Sequence, residues 1–394
     1  MITTVWPYLA VILISAGLFP TIEKRYGWRV FNVLPPIVWT YLLVTALAVA
    51  GLWQGSEEIQ TVQRALTRQL LPALLFLLMA TCDLRSIAAL GPRLLAVFSC
   101  AMASILFAIV LTYLAFRHLL PAEGSKMLAL LSATWTGGSA NLVAVKEIVA
   151  LPDNLLAPVL LADALCYSTW IVVLFASSGF APAFNRWTRA DARISADTGT
   201  GGLGLVDAEA SAAPQATNPG EVLLWLGFAL VVGVGAAALG TRMPVSAMFM
   251  PTSWTVLFAT LAGLVCARTP LARIAGAGPL ASALLACLVA VLGSQSNFEG
   301  MSAAPMFVLA GFCVLALHAV LLVIAARLFR FDLHLCGIAS LAGIGGVATA
   351  PLLAATYSKA LVPVAILFAT LGLVLGTAIG VAMAQVLSSM APAL

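Results

Sequence analysis

This chain has little charge. Only 9% of its 394 residues are Asp, Glu, Lys or Arg, where a soluble domain carries about 25%, and 62% are hydrophobic. That composition excludes a soluble globular protein and leaves a multi-spanning one whose partner is the lipid bilayer. With so few cations, all in loops, the net charge of +4 implies no nucleic-acid partner. Histidine is scarce, with three in the chain, and there is no HExxH, no GxSxG and no Cys/His cluster. A membrane aspartyl hydrolase would need two facing acids, and the apolar runs carry only Asp163. The chain therefore reads as a non-enzyme with no metal site and no cofactor beyond a coupling ion, Na⁺ or H⁺. Its seven cysteines are odd in number and form no CxxC, so they read as small apolar packing residues. No Lys or Arg precedes the first apolar run and no small-residue cleavage site ends it, so no cleaved signal peptide is expected.

What the chain has in abundance is apolar runs of near-spanning length, about 17–25 residues. They cover Val5–Pro20, Val33–Leu52, Leu70–Cys82, Leu94–Phe116, Met127–Val145 and Leu155–Phe175. The series then repeats as Val222–Leu239, Trp254–Cys266, Leu280–Gly293, Phe307–Phe329, Gly337–Ala355 and Val362–Leu387. The segment Gln54–Arg68 between the second and third runs reads as a polar loop. The short third run of each half ends in polar residues, Thr81 and Asp83 in one and Ser294, Gln295 and Asn297 in the other. Between the halves lies a stretch rich in Ser, Thr, Gly, Ala and Pro, with no periodicity and no core-forming run. The expected organisation is an N-terminal repeat over 1–180, a flexible cytoplasmic linker over 181–220 and a C-terminal repeat over 221–394.

The fifth run of each half is interrupted. The first reads Thr136-Gly137-Gly138-Ser139-Ala140-Asn141, and Gly343, Gly345, Gly346, Thr349 and Pro351 stand at the matching place of the second. Paired, Gly-interrupted apolar segments in two halves point to a secondary transporter's solute site. Non-helical backbone survives at membrane depth only where it is buried in protein or lines a water-filled cavity. If these segments enter and leave on one side, each half has five crossings and the halves are inverted. With the N-terminus outside, thirteen of the nineteen Lys and Arg then fall in inner loops, leaving Arg64, Arg68, Arg117, Lys126, Lys146 and Arg242 outside. If all twelve segments cross, the same residues divide nearly evenly, so the positive-inside rule favours re-entrant segments.

The candidate solute site is Thr136, Gly137, Gly138, Ser139 and Asn141 with Gly345, Gly346 and Thr349. Glycines let backbone approach a ligand, and a half-helix starting near Ser139 favours an anion at its positive end. Asp163 sits well inside an apolar run, where an acid costs about 2.5–3.5 kcal/mol. With Tyr167, Ser168 and Thr169 one turn on, it is the candidate coupling-ion residue. Lys146 and Glu147 are either a neighbouring-charge pair or part of a vestibule. Lys359 is a loop lysine or an anion ligand, and His318 is a proton relay or a cross-helix hydrogen-bonding group. Gly372, Gly376 and Gly380 mark a close-packing face, within the subunit or in a homodimer.

Around Thr136–Val145 and Gly345–Ala350 the chain resembles a family of bacterial and plastid membrane proteins known as domain of unknown function 819. The resemblance spans nearly the whole chain. Its implied architecture is similar to that of sodium/proton antiporters, bile-acid/sodium symporters, and 2-hydroxycarboxylate and glutamate symporters. There, two broken segments meet at mid-membrane and a core domain moves against a scaffold. Asp163 matches the antiporters' ion-binding place by position, although the paired acids of those proteins read Asp163-Ala164 here. The expected fold is all-α and polytopic, with two inverted repeats of about five transmembrane helices. The expected function is cation-coupled transport of a small organic anion by an elevator mechanism. A cation/proton antiporter without organic substrate and a passive channel or export pore are the alternatives. A bacterial inner membrane is the expected location.

Overall fold

The computed structural model describes residues 2–391, apart from 33, 54–56, 83–89, 191–217, 246–250, 297–298 and 359–360. Asp83, Asn297, Lys359 and the linker residues 191–217 lie outside the described residues. Among those described, the protein is all-α, with one isolated β-bridge between Ile2 and Trp53. Seven helices among the described residues are long and apolar enough to cross a membrane, and Pro36–Val49, Pro251–Cys266 and Leu333–Ile344 are shorter apolar helices. The protein is an integral, multi-pass membrane protein.

The chain gathers into two compact units, each drawing on both sequence halves. The first comprises Met1–Cys82, Lys146–Ala164 and Gln215–Ala304. It holds α1 (Val5–Tyr26), α2 (Pro36–Val49) and α3 (Glu57–Ala80) from one half. The second unit comprises Asp83–Val145, Leu165–Pro214 and Pro305–Leu394. It holds α4 (Pro92–Phe116), α5 (Gly124–Gly137) and most of α6 (Ser139–Ile148) and α7 (Leu156–Ser177), with α8 (Ala181–Thr188). The other half adds α9 (Pro219–Gly240), α10 (Pro251–Cys266) and α11 (Ala277–Ser294) to the first unit. It adds α12 (Ala304–Phe329), α13 (Leu333–Ile344), α14 (Gly346–Tyr357) and α15 (Val362–Ser389) to the second.

Two boundaries differ from expectation. Residues 57–68 are not a loop; α3 begins at Glu57. Ile59, Gln63, Thr67 and Leu71 are all buried, so one stripe at helical spacing packs inward while charged neighbours face out. Glu57 and Glu58 in the first turn suit the positive helix end. Residues 181–188, at the start of the expected linker, form α8, which Asn185 ties to the side chain of Asp332 and to the backbone N–H of Leu333.

Helix direction within the first unit can be read from contacts. The hydroxyl of Tyr8, near the start of α1, lies 2.7 Å from Ser294 Oγ at the end of α11. Gln63, near the start of α3, donates to the same Ser294 oxygen, and Thr45, near the end of α2, donates to Gly293 O. Gly233 of α9 packs on Gln69 and Pro72 of α3, and Trp225, earlier in α9, meets Phe76, later in α3. Gly263, late in α10, packs on Phe76 and Met79. One end of the unit thus collects the starts of α1, α3 and α10 and the ends of α2, α9 and α11. Each of α1–α3 runs opposite to its counterpart among α9–α11.

The same opposition holds in the second unit. Ser104 of α4 meets His318 of α12, while Arg93 meets the Arg330 carbonyl. Phe98 lies against Phe368, with ring centroids 5.5 Å apart, and Arg117 donates to Met390 O, so α4 runs with α15 and against α12. The Gly372–Gly376–Gly380 stripe of α15 packs against α5 and α6, with Gly372 under the Thr136 carbonyl and Gly380 against Ala133 and Val145. The stripe is therefore a contact inside the subunit.

Candidate functional site

Those glycine contacts define the first hairpin. Ala133 of α5 and Val145 of α6 both touch Gly380, and Gly137 and Asn141 both touch Gly376. Chain on either side of Gly138 therefore lies at the same height along α15, and the direction reverses at Gly138. In the second half, Gly337 of α13 faces Leu353 and Tyr357 of α14, and His334 stacks on Tyr357 at 4.1 Å. That segment reverses at Gly345–Gly346. The two hairpins point against each other, because α5 runs against α15 whereas α13 runs against α7 and α12. Their tips approach where the Trp135 carbonyl faces Gly343, at a site where an added Cβ would stand 2.6 Å from that oxygen.

The turns need glycine for two separate reasons. Gly138 has φ 87° and ψ 175°, and Gly346 has φ 64°; side chains are rare there, although space around both is open. Gly137 and Gly345 are tight instead. A Cβ on Gly137 would meet the Asn141 side chain and Gly372 O, and one on Gly345 would meet Thr349 Oγ1 and the Tyr167 ring.

Of the residues expected to bind solute, three are turned into the protein. Thr136 is fully buried and donates to Ser132 O at 2.7 Å. Asn141 donates to Gly137 O at 2.7 Å and Leu373 O at 3.1 Å, and accepts from Thr377. It clasps the hairpin to α15. Gly137 is closed in between them. Gly138, Ser139, Gly345, Gly346 and Thr349 are half-buried. Thr349 donates to Gly345 O at 3.0 Å, which braces the second turn. Tyr167 lies against Gly345, and Tyr167 and Ser168 are half-buried. Asp163, also half-buried, precedes Tyr167 by one turn of α7 and is the only acid in that helix.

His318 belongs to a closed hydrogen-bond chain. It is fully buried, 2.7 Å from Ser104 Oγ through Nδ1 and 2.7 Å from Ser340 Oγ through Nε2. Ser104 donates its proton to Ala101 O, so Nδ1–H donates to Ser104. The Trp170 indole N–H donates to Ser340, whose own proton then goes to Nε2. Four helices are joined by this chain of bonds. This is the cross-helix role weighed for His318.

At the Ser294 end of the first unit lie polar groups that sequence reasoning largely passed over. The Tyr41 hydroxyl donates to Ser296, which donates to the Asp153 carbonyl. Lys146, with 8% of its side chain exposed, is 2.9 Å from Glu147 Oε1 and also pairs with Asp153. It is thus a buried lysine between two carboxylates rather than a lone pair of neighbours. Two adjoining cavities of about 480 and 450 Å³ share Arg64, Asp153 and Gln295, and Lys146, Glu147 and Arg68 line the second. The signal available in the sequence was the polar end of the run at Ser294 and Gln295; its partners in α1, α2 and α3 are over 200 residues away.

A family model described as "Protein of unknown function (DUF819)" matches residues 10–390. No curated protein matches the chain.

Proposed function

This chain belongs to the DUF819 family, and we propose that it is a cation-coupled secondary transporter of a small organic anion, a carboxylate or an acidic amino-acid derivative. The observation that carries this reading is the pair of opposed hairpins whose tips approach and leave Gly138, Ser139, Gly345, Gly346 and Thr349 half-buried. Each tip sets a helix start beside a helix end. The first-turn amides of α6 and α14 favour an anion, while the last carbonyls of α5 and α13 favour a cation. A site offering both suits an anionic solute moving with a coupling ion. The opposed senses of the paired helices in each unit support two inverted repeats. The division into two units supports an elevator cycle in which the hairpin-bearing unit is the moving body.

Asp163 is the proposed coupling group, assisted by Tyr167 and Ser168. An acid inside an apolar span, costing about 2.5–3.5 kcal/mol there, is expected to have a function. Uptake into proteoliposomes tests this, using a panel of small carboxylates chosen by thermal-shift screening. We expect saturable, concentrative uptake driven by a Na⁺ or H⁺ gradient and abolished as a driven process in Asp163→Asn. Gradient-independent flux in the wild type, or undiminished coupling in Asp163→Asn, would refute the reading. Asp163 also favours a second reading, a cation/proton antiporter without organic substrate; proton release on adding Na⁺ alone would select it. Non-saturating flux near the diffusion rate would select a passive pore.

A further inference from the structure

Between α1 and α11, within the first unit, runs an open groove of about 830 Å³. Its α1 wall is Leu13, Ala16, Gly17 and Pro20, and its α11 wall includes Ala283, Ala286 and Cys287. Small residues on both helices make the hollow: a Cβ added to Gly17 would meet nothing within 4 Å. The walls are apolar and face outward, with Leu13 60% and the adjoining Ile14 67% exposed, on a helix long and apolar enough to span. At one end the lining changes character to Thr21, Lys24 and Arg25. Both cations are exposed, and neither makes a salt bridge among the described residues. Arg25 lies 5.9 Å over the Tyr26 ring, and Tyr26 and Trp28, both exposed and with ring centroids 5.8 Å apart, stand at the same end. Exposed Tyr and Trp at the end of a spanning helix mark the headgroup level.

We propose that this groove is a binding site for an anionic phospholipid, with the phosphate on Lys24 and Arg25 and one acyl chain between α1 and α11. Length fits the assignment. From Leu13 to Arg25 an α-helix rises about 18 Å, close to the ~15 Å of one leaflet's hydrocarbon. Charge chooses the lipid: any lipid fills an apolar groove, but two unpaired cations at headgroup depth select a negative one. Basic residues near the surface each contribute about a fivefold preference for anionic lipid, so the pair gives on the order of thirtyfold. The site shares no residue with the hairpin tips, and its assignment does not depend on the transport reading.

The test is native mass spectrometry of the full chain released from nanodiscs containing equal phosphatidylglycerol and phosphatidylcholine. The wild type is expected to retain phosphatidylglycerol preferentially. Lys24→Gln with Arg25→Gln, both exposed and therefore tolerated by the fold, is expected to keep lipid adducts but lose the preference. Gly17→Leu, which fills the groove and leaves the cations in place, is expected to lose the phosphatidylglycerol adduct. Equal retention of the two lipids by the wild type, or an unchanged preference in the double variant, would overturn the proposal. So would a lipid-free dimer that Gly17→Leu dissociates, because a second copy would then be the occupant.

Discussion

At His318 and Asn141, side chains weighed as candidates for chemistry make hydrogen bonds from one helix to another. Replacing His318 by Leu would remove one hydrogen bond each from Ser104 and Ser340 and set an apolar side chain beside them, while Ser104 keeps its bond to Ala101 O and Ser340 keeps the Trp170 N–H. An unmet buried polar group costs about 1–3 kcal/mol, whereas single cross-helix hydrogen bonds in membranes average nearer 0.6 kcal/mol. With two such bonds lost at once, we expect His318→Leu to lower unfolding stability by about 1–2 kcal/mol, read as an earlier thermal melt in detergent. Gradient-driven uptake by the folded fraction should survive; its loss would return His318 to the list of proton carriers. Asp163 sits at the opposite extreme, because its value should lie in coupling, with Asp163→Asn melting normally.

For the helices and hairpins, glycine decides the geometry, and the reason differs from one glycine to the next. Gly372 lies directly under the Thr136 carbonyl, a backbone atom that cannot swing aside. Gly372→Ala should therefore force α5 from α15 and cost about 1–3 kcal/mol. Gly235 of α9 has nothing within 4 Å of an added Cβ, so Gly235→Ala should be neutral or stabilising by up to about 1 kcal/mol. Comparing their melting temperatures checks the packing assignment. Gly138→Ala meets no atom and should still cost about 1–3 kcal/mol, because its dihedral angles suit glycine alone. The same scale shows where sequence patterns mislead. The first three turns of α3 look like a loop when scanned for hydropathy, because Glu57, Arg64 and Arg68 dilute the average. Only the buried stripe of Ile59, Gln63, Thr67 and Leu71 reveals a helix.

The described helices gather into two units, and the inverted repeats proposed for them make a topological prediction. The proposed topology, with the N-terminus outside and ten crossings, predicts that the segment 191–217 is inside and both termini outside. An epitope placed in that segment should be reached by antibody only after permeabilisation, while tags at either terminus are reached in intact cells. Tags on opposite sides would show an odd number of crossings and would sink the inverted-repeat reading.

Composition alone fixed the solvent: at 9% charge the chain must be dissolved in lipid. The repeated pattern of runs and the two glycine interruptions were equally plain, because hydropathy and glycine placement are local properties. Direction was not legible. A helix and its reverse have the same hydropathy, so only contacts such as Ala133 and Val145 sharing Gly380 establish that the chain turns back at Gly138. Nor could sequence sort the polar residues of the motif. Thr136 bonds within its own helix to Ser132 O, whereas the partners of Asn141 on α15, Leu373 and Thr377, lie more than 200 residues away, a distance over which only the folded packing brings side chains together.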